Sequence, residues 1–578
     1  MISLIIGLAF LILQFSFIFK FEDSRKGFFY LSGILFAFYL FSSFILQLFG
    51  LFNYPIFFSF NLFFTVALFF FFRGKYNFKK IDWIFLLLVV FLFVGFYQVH
   101  YNFDGVVTTL TTGYQSVESF SYSYPYFSDE WANVALSDYS LKSGGLASVN
   151  PLWPQDSFLD LEVAFHSFSS GIFLFLGLNP LTDYVKVGLF FSLFNCILFY
   201  FLLRSFKVDK IYSGVSTFLF SLILNGANLP GLWYFIPITL GISSFLISLY
   251  FLNENDLKKS ILSSVLILFF YPPLFVFYLP LILFYAYENK NLKKNMSKFL
   301  GICVFVFLLL LVPIFIHGQS NFISYIWGKL FYGTFTSGAI PHFSFWRIIP
   351  LVSLFFFPFG FYSLYLKKKW LLAPLVVGVI YWVLYSFVFW RFIIEYERLV
   401  YFTSFYVVFI SGIGISYLDG SLLKSFSNYK KYFKIVLIIL FVLLAFNSFR
   451  FERTSDWKSL KLYSVNGDVF DPASPVNSYL VDDDLRIFAN ISGEKFLAPP
   501  WKGLVIGVAT GNYPLETKPA TVTVRKYPYL QFMNLDCYEK TIVANNFGLK
   551  YVYSVPFECE NFKLVDSSRE GFGLYLVK

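Results

Sequence analysis

Long apolar runs with almost no charge limit this chain more than any other feature. Apart from Asp82, the runs Ile81–Val99, Ile211–Leu224 and Phe299–Ile316 contain no Lys, Arg, Asp or Glu. Roughly 20 apolar residues in a helix cross the ~30 Å hydrocarbon core of a bilayer, and an open chain satisfies its backbone there only as helix. Many other segments qualify, so the chain reads as a polytopic α-helical membrane protein. The composition agrees: 13% of its 578 residues are charged, about half the share usual in soluble domains. The 85 Phe and 41 Tyr accompany abundant Ile, Asn and Lys and read as compositional bias. The net charge of +10 comes from Lys and Arg in short loops, where they set orientation. Membrane lipids are expected partners and nucleic acid is not.

Four segments come first, near 2–19, 28–50, 54–72 and 81–98, and form an N-terminal transmembrane region, 1–98. Met1–Phe19 lacks a basic start and is too long for a signal-peptide core, so it reads as the first span. Lys20, Arg25 and Lys26 follow the first segment, and Arg73, Lys75, Lys79 and Lys80 the third. Both links are therefore expected in the cytoplasm. The stretch 99–160 is then a large outer loop, with one basic residue, Lys142, against seven acidic ones. In the transmembrane core, 161–450, the segment 161–178 upsets the alternation of basic links if it spans. A helix lying in the interface or re-entering the membrane removes the conflict. Spans are expected near 183–203, 211–226, 230–252, 260–271, 274–288, 298–316, 347–366, 371–390, 398–418 and 432–448. The total is about 14, with 12 to 15 compatible, because Tyr271-Pro272-Pro273 marks either one broken helix or two short ones. The expected location is the plasma membrane.

Residues 451–578 change character. Strand-like stretches at Leu504–Ala509, Ala520–Val524, Thr541–Val543 and Tyr551–Val555 alternate with Gly, Pro and Asn turns. They predict a small C-terminal α/β domain on the outer side. Its Cys537 and Cys559 are either a disulfide, which an oxidising exterior permits, or two buried thiols. Cys196 and Cys303 fall in expected spans and read as core.

The outer loop holds the main chemical candidate, Tyr126-Phe127-Ser128-Asp129-Glu130-Trp131, before a helical run to Leu141 and a Gly144-Gly145 break. Ser128 is the expected N-cap, with Asp129 and Glu130 in a first turn that favours acids. Beside that capping role, adjacent carboxylates can deprotonate an acceptor or hold a divalent cation such as Mg2+ or Mn2+. At helical spacing Asp138 lies roughly a quarter turn from Glu130 and nearly opposite Asp129. Asp104, Asp156 and Asp160 are further acids of the loop. A second cluster, Trp390-Arg391-Phe392-Ile393-Ile394-Glu395-Tyr396-Glu397-Arg398, sits at the outer edge, where the orientation rule disfavours Arg. Guanidinium forks bind phosphate bidentately, with Arg398 ahead of Arg391; pairing with Glu395 is the local alternative. Glu162 and His166 share a helix face and make either a local hydrogen bond or a metal-binding pair. His342 and Arg347 follow a polar loop, 317–346, placed to cover the site, and Gly507–Gly511 reads as a turn.

An acidic pair in the first large outer loop, then a helix, a Gly-rich break and Asn150-Pro151-Leu152-Trp153, resembles the GT-C glycosyltransferase superfamily. So do Leu161–Leu178 and the segment closing in Leu203-Arg204. Ile542–Asn546, Leu549–Ser554, Phe562–Val565 and Leu574-Tyr575-Leu576 are similar to the closing outer domain of prokaryotic members. That superfamily includes oligosaccharyltransferases, protein O-mannosyltransferases and lipid A aminoarabinose transferases. The resemblance covers most of 99–578; four spans before the acidic loop depart from the usual one. It implies Asp129 and Glu130 as catalytic base or metal ligands and agrees with the guanidinium chemistry that makes Arg391 and Arg398 contacts for a lipid phosphate; Asp138 is expected beside them as a further binding residue.

The expected function is sugar transfer from a polyprenyl-phosphate-linked donor to a glycan, lipid or protein acceptor outside the cytoplasm. A transporter or flippase of lipid-linked sugars is the alternative, and a surface-polysaccharide polymerase or ligase a third. Ion-driven transporters carry ionisable residues within their spans, whereas here the spans after 210 are nearly free of them.

Overall fold

The computed structural model describes residues 2–72, 74, 76, 82–101, 103–107, 115–120, 123–125, 127–158, 160, 162–223, 235–288, 301, 349–388, 394, 396–421, 429–453, 462–463, 469–470, 480–518, 520–569 and 571–578. The expected span 298–316, Cys303, the 317–346 loop with His342, Arg347, and Trp390, Arg391 and Glu395 lie outside the described residues.

Helices α1 (Ile2–Ser16), α2 (Ser24–Leu48), α3 (Tyr54–Phe71) and α4 (Trp83–Tyr101) form the N-terminal region. Their starts carry ordinary signals: the Asp23 carboxylate accepts from Arg25 N–H, and Asn53 caps α3 just before Pro55. Ile12, Phe63, Phe71 and Leu87 remain exposed, as suits a rim of helices facing lipid. Strands β1 (Phe103–Val107) and β2 (Gln115–Phe120) pair antiparallel after α4. Then come α5 (Ser128–Ser143) and the hairpin of β3 (Val149–Asn150) and β4 (Trp153–Ser157).

The core follows as α6 (Val163–Leu176), α7 (Pro180–Ser205), α8 (Lys210–Ser221), α9 (Pro237–Asn253), α10 (Leu257–Phe270), α11 (Phe275–Glu288), α12 (Leu351–Lys367), α13 (Ala373–Val383), α14 (Tyr396–Ser421) and α15 (Lys430–Arg453). Helix α9 is buried along its whole length. Its Ser243, Ser244 and Ser248 hydroxyls donate to carbonyls one turn earlier, which keeps polar groups satisfied away from water. Helices α12 and α14 cross backbone to backbone. A Cβ on Gly360 would stand 1.9 Å from the Ile410 carbonyl oxygen, and one on Gly414 2.2 Å from that of Phe356. Small residues at the crossing permit that approach.

Five described helices are long and apolar enough to cross a membrane, and six more apolar helices are shorter. The count of about 14 therefore remains an expectation. Segment 161–178 forms α6, whose 14 residues span about 21 Å, less than a bilayer core. It is buried nearly all round and packs on α1, α2, α3 and α5, so nearly all its faces meet protein. At Tyr271-Pro272-Pro273 the helix does break, into a 3-10 turn at Pro272–Leu274.

The C-terminal domain contains the short antiparallel pair β5 (Leu462–Tyr463) and β6 (Val469–Phe470), then α16 (Asp482–Phe488), β7 (Lys495–Leu497), α17 (Pro500–Thr510), β8 (Tyr513–Pro514), α18 (Tyr529–Asn534), α19 (Cys537–Phe547), β9 (Tyr551–Ser554), β10 (Phe562–Ser567) and β11 (Gly573–Val577). Its sheet has the order β10-β11-β9-β7-β8, with β7 parallel to β8 and β9 and the remaining pairs antiparallel. Three strand expectations need correction. Leu504–Ala509 lies in α17 and Thr541–Val543 in α19, while Ala520–Val524 is a turn. A short apolar run looks alike as strand or helix by its periodicity. Gly507 is likewise helical, and Gly511, at φ 71°, closes α17. Cys537 and Cys559 are bonded, tying the start of α19 to the segment between β9 and β10; Cys196 is a buried thiol.

Candidate functional site

Helix α5 starts at Ser128, so Phe127 and not Ser128 holds the cap position. The orphan amides there are met by Glu130. Its Oε2 accepts from Phe127 N–H at 3.3 Å and its Oε1 from Phe235 N–H, in the lead-in to α9, at 3.1 Å. Glu130 is 4% exposed and serves the backbone with both oxygens.

Asp129, one residue earlier and about 100° around the helix, points elsewhere. Its Oδ2 lies 4.0 Å from Arg398 Nη2, with both side chains partly exposed. Arg398 belongs to the first turn of α14, where the helix dipole disfavours a cation; an anionic partner offsets that. Its Nη1 also donates to the Tyr271 hydroxyl at 2.9 Å, and its Cζ sits 5.5 Å from the centre of that ring. Tyr271 stands at the break after α10, directly before the two prolines.

Lys518 of the C-terminal domain is half-buried. Burial pushes its pKa down to about 8, and Asp129 works against the shift. Glu162, just ahead of α6, adds an acid: burial raises its pKa, while His166 and Arg398 oppose the rise.

His166 is 3% exposed and its ring is fully engaged. Nδ1 lies 2.6 Å from Asp160 Oδ2 and Nε2 2.6 Å from Asn133 Oδ1, while Asp160 Oδ1 accepts from Glu162 N–H at 2.8 Å. This links the end of the 99–160 loop to α5, and the ring of His166 bonds Asp160 and Asn133 in place of the expected partner Glu162. Asp138 lies about 13 Å along α5 from Asp129 and pairs with Lys142 at 2.6 Å.

The structure thus brings Asp129 and Arg398 together and leaves Asp138 apart; Arg391 lies outside the described residues. Tyr271 joins the site unannounced, and the Tyr-Pro-Pro break signals it by position. Among the described residues, no group of three or more His, Cys, Asp or Glu is disposed to hold a metal ion. Glu130 and Asp160 are engaged as above and Arg398 faces Asp129, which leaves Glu162 as the remaining described acid beside the site.

No protein-family model and no curated protein matches the chain. Among solved structures the chain is similar to the oligosaccharyltransferase of the archaeon Archaeoglobus fulgidus, which belongs to the superfamily that the sequence motifs resemble. For that enzyme's complex with zinc and sulfate, identity is 12%, coverage 81% of this chain and 68% of that one, and the TM-score 0.47. The form tethered to an acceptor peptide gives 13%, 82%, 69% and 0.43. The complex with an inhibitory peptide and a dolichol-phosphate gives 13%, 82%, 69% and 0.39.

Proposed function

We propose that this protein is a membrane glycosyltransferase that moves a sugar from a polyprenyl-phosphate-linked donor to an acceptor outside the cytoplasm. The observation that carries the reading is the meeting of Asp129 with Arg398, an acid from a polar loop and an arginine at the head of a largely buried apolar helix.

Arg398 binds the donor phosphate, as a planar guanidinium held by Tyr271 is suited to do. Asp129 takes the proton from the acceptor O–H or N–H. The freed lone pair forms a bond to the anomeric carbon as the carbon–oxygen bond to phosphate breaks. The phosphate leaves with that electron pair, and Arg398 compensates its charge. Glu130 holds the turn that presents Asp129. No step runs through a metal.

The test is transfer from radiolabelled polyprenyl-phosphate sugars, comparing wild type with Asp129→Asn in matched membranes. Loss of about 10²-fold or more in a normally folded variant supports the reading. Unchanged transfer removes Asp129 from the chemistry, and no transfer by wild type across a broad donor panel favours a transporter of the same lipids.

A further inference from the structure

We propose that the start of α9 is the frame that sets Arg398 against Asp129, and that Gly241 is the positioning residue through which it places the arginine. This rests on the donor chemistry proposed above, in which Arg398 binds the phosphate.

Helix α9 reaches both halves of the site. Just ahead of its first turn, Phe235 N–H donates to Glu130 Oε1 at 3.1 Å and so holds the turn that presents Asp129. One turn into the helix, Gly241 lies against Tyr271, whose hydroxyl accepts from Arg398 Nη1 at 2.9 Å.

The start of α9 is itself pinned by α7. Tyr184 Oη donates to the Phe235 carbonyl at 2.5 Å, and Asn195 Nδ2 to that of Thr239 at 3.0 Å. Ile236 N–H donates to Thr239 Oγ1 at 3.3 Å, which closes the first turn. A neighbour pressed against this stretch must therefore yield to it.

That neighbour is Tyr271, at the end of α10, which packs along α9. The ring of Pro272 restricts the backbone of the residue before it. Tyr271 N–H also donates to the Ile267 carbonyl at 2.9 Å, and its own carbonyl accepts from Leu274 N–H at 3.1 Å. A Cβ at position 241 would stand 2.7 Å from Tyr271 Cβ and 3.1 Å from Leu274 Cδ1. The first contact is at the root of a side chain, where no change of rotamer relieves it. An added methyl moves the Tyr271 backbone, and the hydroxyl moves with it. Packed carbons stand about 3.5–4.0 Å apart, so the shift is on the order of 1 Å, enough to break the bond to Arg398. Alanine is the better helix former; the approach of Tyr271, and not helix propensity, explains the glycine.

The test uses the full chain in nanodiscs of zwitterionic lipid, titrated with a sugar-free polyprenyl monophosphate. Binding is read from intrinsic tryptophan fluorescence against an Arg398→Ala baseline, with thermal melting as the check on folding. Gly241→Ala and Tyr271→Phe are each expected to weaken binding about tenfold. The double variant decides the route. If both changes act through the one hydroxyl, together they should still cost about tenfold, whereas independent effects multiply to about a hundredfold. Loss of helix packing unconnected with Arg398 would multiply in that way. Should Gly241→Ala fold poorly, Gly241→Ala/Leu274→Ala removes the second contact, keeps the first and is expected to bind as weakly. Unchanged affinity in a folded Gly241→Ala protein, or a multiplicative double variant, overturns the role of Gly241; weak binding by Arg398→Ala then leaves the Arg398 reading standing. Failure of wild type to bind the lipid, or equal binding by Arg398→Ala, overturns both.

Discussion

Asp129 Oδ2 and Arg398 Nη2 lie 4.0 Å apart, one in the first turn of α5 and the other in the first turn of α14. At that separation the attraction runs from ~1 kcal/mol in water to ~4 kcal/mol at the effective dielectric near a protein surface. With both groups partly exposed, the lower part of that range applies. In the proposed reaction a phosphate takes the guanidinium from this loose pair and leaves the carboxylate to act as base.

Tyr271→Phe keeps the ring beneath Arg398 and removes the hydroxyl that accepts from it at 2.9 Å. A hydrogen bond to a charged group is worth roughly 1.5–3 kcal/mol. The donor KM should rise about tenfold while kcat changes less. Steady-state kinetics at saturating acceptor would check the split, and an unaltered KM would show that Arg398 needs no such support.

Glu130 and Asp129 should fail differently. Glu130→Gln has one acceptor oxygen for two backbone amides, so it should cost about 1–3 kcal/mol of stability. That appears as a lower melting temperature in detergent, with activity per folded molecule reduced less than in Asp129→Asn. A normally melting, inactive Glu130→Gln would instead put Glu130 in the chemistry.

Two features should govern the stability of the outer domain. Lys502 and Asp484 form a fully buried ion pair, and Tyr553 donates to the same carboxylate at 2.8 Å. Lys502→Met leaves that carboxylate uncompensated and should cost about 3–5 kcal/mol, seen as faster proteolysis of the domain in the intact protein.

The Cys537–Cys559 bond closes a loop 22 residues long, worth about 3 kcal/mol in the chain-entropy account. Paired Cys→Ser replacement should lower the denaturant midpoint by a corresponding amount, and reductant should have no further effect on that variant.

Much of the helix pattern was legible because the solvent for these segments is lipid, and a long apolar run has few other ways to satisfy its backbone. The starts of α3 and α7 were written locally, as Asn before Pro. The outer domain was harder. Leu504–Ala509 is β-prone by residue type, yet Pro500 in its first turn and Gly511 just past its end make it a helix. Those stop signals outweigh composition in a segment buried on every side.

At the site, sequence by itself determined that an acidic turn stands in the polar loop and an arginine at the head of a membrane helix. It could not rank two adjacent carboxylates. Their difference lies in 100° of helix rotation, which turns Glu130 to the Phe127 and Phe235 amides and Asp129 to Arg398. Tertiary structure alone decided that Tyr271 belongs with them. Helix and strand signals arise between near neighbours in the chain, whereas a site drawn from α5, the break after α10 and α14 exists only once distant elements have packed.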